Sequence, residues 1–173
     1  MNNKYKTINN LHQGFTLVEI MIALVIMSIL LAVAIPSYNA YGRKAALGSA
    51  QQEMLKLAEQ LERHKARNFS YKGFNAAYLY RDQNGGLVSG FTPANQTISF
   101  PIGKPQKFRI TIVDGMASNP LLTANASLGQ TWAIRAISDD ARNYHLLLTS
   151  TGIQCKTLNA LAAYDECDGG ESW

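Results

Sequence analysis

One carboxylate, that of Glu19, lies within an almost entirely apolar stretch at residues 15–35. A carboxylate in a bilayer costs on the order of a few kcal/mol, so such a residue is a functional candidate that needs a partner. If the chain begins at Phe15, the new α-amino group lies one helical turn before Glu19 and neutralises it, in the same subunit or from a staggered neighbour. The alternative is a Glu near a helix end whose carboxylate reaches the lipid headgroups.

The segment before this stretch is polar, contains two lysines and ends in Gly14. A secretory signal places its small-residue cleavage site after the apolar stretch, whereas here the small residue precedes it. A cut after Gly14 therefore removes residues 1–14 as a leader and keeps the apolar helix. At ~1.5 Å per residue, positions 15–35 extend over ~31 Å, about the thickness of one bilayer core.

These residues carry a resemblance to a known family. The motif GFTLVE at 14–19, the apolar run and the motif AIPSY at 34–38 resemble the prepilin N-terminus of type IV pilins and type II secretion pseudopilins. The resemblance implies that a prepilin peptidase cuts between Gly14 and Phe15 and that Phe15 is N-methylated. It also implies that Glu19 serves filament assembly by pairing with the amine of Phe15 on an adjacent subunit.

The resemblance further implies a location and partners. A single span would hold the subunit in the inner membrane with its C-terminal domain in the periplasm, and assembly would carry it to a cell-surface pilus. The partners would be other pilin subunits, through the N-terminal helix, and an inner-membrane assembly platform. Charge alone leaves the orientation open, because Lys4 and Lys6 before the span balance Arg43 and Lys44 after it.

The two cysteines, Cys155 and Cys167, lie near the C-terminus without a CxxC motif. A zinc site needs about four ligands, and the distant His64 and His145 do not complete one. If this part of the chain lies outside the cytoplasm, a disulfide is the natural interpretation, and two buried free thiols are the alternative. We expect no metal site and no cofactor.

The remaining pattern predicts an α+β fold: residues 1–14 form a leader, 15–67 a long helix and 68–173 a globular domain. Pro36 removes one backbone hydrogen bond and predicts a kink. An amphipathic stripe follows, and we expect it to pack on the subunit's own four-stranded antiparallel sheet, the sheet of the type IV pilin fold. The stripe consists of Leu47, Ala50, Met54, Leu57 and Leu61. The predicted strands are at 97–102, 107–113, 131–137 and 143–150, with a short one near 153–156.

Charge and motifs bear on function. The formal charge of +4 falls to about +2 once Lys4 and Lys6 are removed, which does not by itself indicate nucleic-acid binding. The sequence contains no GxSxG, P-loop or HExxH motif, so we expect no enzyme activity. Basic residues of the sheet region would contact DNA phosphates only if they converged on one face. They are Lys104, Lys107, Arg109, Arg135, Arg142 and Lys156.

The leading hypothesis is a minor pilin of a type IV pilus that serves motility, adhesion or DNA uptake. The segments GQTWAIRA and NYHLLLTSTGIQC give a second, looser resemblance to minor pilins of the PilE type. The alternatives are a type II secretion pseudopilin and a DNA-receptor pilin. A membrane-anchored periplasmic enzyme would leave Gly14, Phe15 and Glu19 together unexplained.

Overall fold

The structure is a computed structural model that describes residues 15–173, so the leader and Gly14 lie outside the described part. The chain divides into two compact units, one ending at Tyr41 and one comprising Gly42–Trp173. A single helix, α1 (Leu17–Asn68), contributes to both. Pro36, where the sequence predicts a kink, lies inside α1, which is helical on both sides of it.

The first unit is an exposed apolar helix. Large aliphatic side chains are exposed around its whole circumference. Near its two ends, Leu17 is 76% exposed and Val33 is 72% exposed. Among the described residues, this helix alone contains a stretch long and apolar enough to cross a membrane, judged by length and composition. A helix that is apolar all round needs an apolar environment on every side.

The second unit packs the remainder of α1 on an antiparallel sheet that has seven strands within residues 15–173. The strands follow one another in space in chain order, each pairing with the next. They are β1 (Phe91–Thr92), β2 (Thr97–Phe100), β3 (Phe108–Asp114), β4 (Trp132–Ser138), β5 (His145–Thr149), β6 (Gln154–Thr157) and β7 (Glu171–Ser172).

The α+β class is confirmed, but the expected count of four strands is wrong. Strands β2 to β6 lie where the sequence pattern places them, within one or two residues at each end. The two additional strands, β1 and β7, have two residues each and extend the sheet at its edges. Two residues are too few to show an alternation of apolar and polar side chains, so no pattern indicates such strands.

The helix-facing side of the sheet forms the main core. Of the predicted stripe, the members from position 50 onward are fully buried, and Leu47 packs against them. The alternation in β3 predicted Phe108, Ile110 and Ile112 on one face, and all three belong to this core. Polar contacts reinforce the packing, since Trp132 Nε1 donates to the Glu62 carboxylate of α1 at 3.0 Å.

The opposite face of the sheet is covered by the C-terminal segment. Leu147 of β5 and Cys155 of β6 form a second cluster with Leu161, which lies beyond the last long strand. Ile137 and Cys167 pack at its margin. The sheet is therefore covered by α1 on one face and, over β4 to β6, by an irregular segment on the other.

The chain between α1 and the sheet is fixed by Gly129. The backbone N–H of Tyr71 donates to the Gly129 carbonyl at 2.8 Å, and the Ser70 hydroxyl donates to the same oxygen at 3.1 Å. A Cβ at Gly129 would lie 2.3 Å from the Lys72 nitrogen, and its φ of +65° also favours glycine. The segment leaving α1 is thus held against the loop before β4.

The core contact between α1 and the sheet can be tested within one helical turn. Leu57 is fully buried, whereas Leu55 is 48% exposed on the same helix. We expect Leu57→Ala to lower the free energy of unfolding by about 3 kcal/mol, because it removes transfer energy and leaves a cavity. Leu55→Ala should change it by less than about 0.5 kcal/mol. Denaturant unfolding of the detergent-solubilised protein, followed by tryptophan fluorescence, measures both; equal effects would contradict this packing.

His145 should make stability depend on pH. Its Nδ1 accepts the Ser138 backbone N–H at 2.9 Å, which requires an unprotonated Nδ1. Burial, and secondarily the charge of Arg135, lower the pKa of His145 from its ordinary 6.5. The unfolded chain therefore binds more protons at this position, and stability should fall as the pH drops below about 6.5 towards the folded pKa.

The free energy of unfolding, measured at about pH 7.5 and about pH 5.5, checks this effect of His145. We expect His145→Asn to lose less stability between the two values than the unaltered protein does. His64→Gln serves as the control and should keep the full loss. An unaltered pH dependence in His145→Asn would refute the assignment.

Candidate processing and assembly site

The helix start is built by Thr16. Its hydroxyl oxygen accepts the backbone N–H of Glu19 at 3.2 Å, and its carbonyl accepts the N–H of Ile20 at 3.3 Å. Thr16 is therefore the N-cap and Glu19 the third helical residue. A Thr followed three residues later by Glu is the capping-box pattern, in which each side chain can bind the backbone N–H of the other residue. Sequence analysis missed this role, although the pattern Thr-x-x-Glu was visible.

A second physical effect favours a carboxylate at position 19. A carboxylate in the first turn faces the positive end of the helix dipole, which stabilises it. Its side chain is exposed, and Phe15, one turn earlier, is 79% exposed. Among residues 15–173 no ion pair includes Glu19. In the uncut chain the Phe15 nitrogen is part of a peptide bond, so a cut before Phe15 would create a cation next to this carboxylate.

The comparison with protein families matches this segment. A family model for the prokaryotic N-terminal methylation motif matches residues 9–35, which include Gly14, Phe15 and Glu19. No curated protein and no solved structure matches the chain. The match ends just before Pro36, so it covers the last six residues of the predicted leader and the apolar stretch.

The motif supports one class of protein, and the fold agrees with it. The N-terminal segment is that of a type IV pilin-like prepilin. The long helix α1 and the antiparallel sheet give the α+β fold that was expected of that class. This agrees with a structural protein that associates with a membrane and assembles with related subunits.

The structure joins Cys155 and Cys167 in a disulfide, with their Cα atoms 6.4 Å apart. Cys155 is buried in β6, while Cys167 lies in the irregular segment between β6 and β7. The bond therefore ties this segment to the outer face of the sheet. Neither cysteine is available as a metal ligand, and no group of metal-binding side chains occurs within residues 15–173.

Arg135 of β4 also binds the irregular segment between β6 and β7. Its Nη1 donates to the carbonyls of Leu161 and Ala162. The guanidinium also lies 4.0 Å from the ring centroid of Tyr164, a cation–π contact. Burial raises the pKa of the Tyr164 phenol, which keeps the ring neutral under this cation. Sequence analysis treated Arg135 as one of several scattered surface charges, and no local motif indicates that it is an anchor.

The basic residues of the sheet do not converge. Arg109 and Arg135 share the outer face, because Arg109 pairs with Ile137 and Thr111 pairs with Arg135 across the strands. Lys156 lies on the other face of β6, over the Tyr144 ring, and pairs with Glu171. Since the Arg135 guanidinium is also occupied by carbonyls, Arg109, Arg135 and Lys156 do not form a common phosphate-binding face.

The two described histidines have structural contacts. His64 Nε2 lies 3.1 Å from the Lys72 carbonyl, and its ring meets the edge of Phe74 at 5.6 Å between centroids. His145 is the acceptor described above. These contacts fit packed histidines.

The anchoring role of Arg135 predicts a change in local opening. We expect Arg135→Gln to increase the rate of limited proteolysis within residues 158–170 several-fold, because the segment loses its charge-assisted hydrogen bonds. Arg109→Gln, on the same face but exposed, should leave the rate unchanged. Mass mapping of the cleavage products measures both, and equal rates in the two variants would argue against the anchor.

Proposed function

We propose that this protein is a filament subunit made as a prepilin and cut between Gly14 and Phe15, with N-methylation of Phe15. The observation that carries the proposal is the capping position of Glu19 at the start of an exposed apolar helix, one turn after the cut. The methylation motif over residues 9–35 supports the same processing step. The proposal concerns assembly rather than catalysis, and the ATP needed for it would be hydrolysed by a separate protein.

The chemistry of the cut explains how it would permit assembly. Before the cut, Glu19 has the helix dipole and the Thr16 cap, and no ion pair within residues 15–173 includes it. After it, the α-amine of Phe15 supplies a positive charge within reach of the carboxylate of the same or an adjacent subunit. Two opposite charges attract far more strongly in an apolar medium than in water, so the pair would select subunits at the correct stagger.

The environment of the helix sets the route. The exposed apolar surface of the first unit would lie in the inner membrane, in a single span with the sheet in the periplasm. The same surface would then be covered by the helices of other pilin subunits in the filament. Prepilin peptidase and an inner-membrane assembly platform are the partners that this route requires. Pro36, at the end of the apolar stretch, would adapt the helix where it enters the filament.

Within this class we favour a minor pilin of a type IV pilus, of the PilE type, which would serve motility, adhesion or DNA uptake. The disulfide-bonded C-terminal segment supports a pilus rather than a type II secretion pseudopilus, because it braces the outer face of the sheet for exposure outside the cell. A DNA-receptor pilin is less favoured, since the basic residues of the sheet lie on different faces.

Mass spectrometry of sheared surface filaments tests the proposal. We expect an N-terminal peptide that begins at methylated Phe15, in low amount relative to other pilins. A dominant amount would make the protein the major subunit. A chain that still begins at Met1 and stays in the membrane fraction would refute the filament function.

Glu19 separates processing from assembly. We expect Glu19→Gln to be cut normally, because the peptide bond at Gly14 is unaltered, but to fall at least about tenfold in sheared filaments, since the charge pair is lost. Glu59→Gln, an exposed position on the same helix, should assemble normally. Quantitative immunoblots of filament and membrane fractions measure the ratio. Normal incorporation of Glu19→Gln would leave the carboxylate with only its capping role.

A further inference from the structure

Phe69 has an unusual backbone conformation for its residue type. It follows Asn68, the last residue of α1, with a φ of +58°. Its backbone N–H donates to the Lys65 carbonyl at 2.7 Å, which closes the helix in the left-handed terminal motif. Glycine is the usual residue there, because a side chain in this conformation is strained.

The side chain of Phe69 contributes little to its own subunit. It is 92% exposed, more than any other large apolar side chain in the described residues, and it is not part of either core cluster. The backbone strain at Phe69 is therefore not offset by packing of its side chain within the subunit. Strain of this kind persists where a residue serves a function, and an exposed aromatic ring serves contact with another molecule.

The surroundings of Phe69 are cationic. Residues 63–72 contain four lysines and arginines and no carboxylate; of these, Arg63 pairs with Glu59 and the Lys72 ammonium donates to the Asn125 carbonyl. Next to Phe69 in the chain lies an open depression of about 330 Å³, lined by Gln60, Arg63, His64, Arg67, Asn68 and Tyr78. The negative end of the helix dipole accounts for cations in the last turn, but not for an exposed phenylalanine. We define the basic-aromatic patch as Arg63, Lys65, Arg67, Phe69 and Lys72.

The chain also contains the complementary surface. Residues 162–173 contain four carboxylates and no lysine or arginine. Asp165, Glu166 and Asp168 are exposed, and Leu158, just before them, is 54% exposed. Among the described residues no ion pair joins this segment to residues 63–72. Arg63 and Glu171 have ion-pair partners within the subunit, whereas no ion pair among the described residues includes Arg67, Asp165, Glu166 or Asp168.

We propose that the basic-aromatic patch binds the acidic C-terminal segment, residues 158–173, of a second copy of this chain. Two different surfaces of one subunit then meet across the contact, so two neighbouring copies join head-to-tail instead of closing as a symmetric dimer. Phe69 would insert beside the apolar residues of the segment, and Arg67 and Lys72 would face its carboxylates. The proposal rests on the filament function argued above.

Photo-crosslinking in cells tests the contact with the full chain. The variant Phe69→p-benzoylphenylalanine should form a covalent dimer on illumination, with the crosslink mapped to residues 158–173 of the second chain. The same photoreactive residue at Leu55, exposed on α1 outside the patch, should not. A crosslink to another protein, to lipid or to a nuclease-sensitive species, or no crosslink, would overturn the proposal.

Charge reversal tests the electrostatic part. Adding Arg67→Glu and Lys72→Glu to the photoreactive chain should reduce the dimer at least about tenfold, because like charges then face each other. Co-expression with a second chain that carries Asp165→Lys and Glu166→Lys should restore most of it. An unchanged yield in the reversed chain would contradict the pairing.

The variant Phe69→Gly distinguishes a role of the side chain in filament contact from a role in the stability of the subunit. Glycine adopts the observed φ without strain, so this variant should unfold at an equal or higher temperature than the unaltered protein while its incorporation into filaments falls. A lower unfolding temperature would show a structural role and overturn the proposal. Filaments that contain the processed chain but give no Phe69 crosslink would refute the contact alone, whereas an uncut chain confined to the membrane would refute the filament function.

Discussion

The main physical constraint on this molecule is an apolar surface that the subunit does not cover itself. The first unit exposes large aliphatic side chains all round, whereas the second unit buries its apolar residues between α1 and a sheet. Hydrophobic burial is roughly proportional to area, so the first unit gains stability only from lipid or from other protein helices. The proposed route from membrane to filament depends on this division of α1 into two parts.

Glu19 lies where two demands coincide. Its backbone N–H completes the cap of Thr16, and its carboxylate faces the positive helix end. An apolar environment makes an uncompensated carboxylate expensive, so the same residue also requires a cation once the helix leaves water. A cut before Phe15 would supply that cation, the α-amino group, without any additional residue. Under the proposed function, processing and packing would be linked through the Glu19 side chain.

Much of this could be predicted from the sequence, for identifiable reasons. The span at 15–35, the stripe from Leu47 to Leu61 and the strands β2 to β6 each repeat a pattern over several residues, and the fold class follows from their order. The edge strands β1 and β7 could not be predicted, because two residues carry no period. The anchoring of the C-terminal segment by Arg135 depends on a tertiary contact between residues 26 positions apart, and no local signal encodes it.

The sheet also has a consequence for the order of folding. Within the described residues every strand pairs with the one that precedes it in the chain, so pairing needs no return of a late segment to an early one. Such local topologies close short loops and fold faster than those with distant pairings. A chain tethered at its N-terminal helix and delivered progressively across a membrane could therefore assemble its sheet strand by strand. Oxidation of Cys155 and Cys167 would then come last, fastening a sheet whose other strands are already in register.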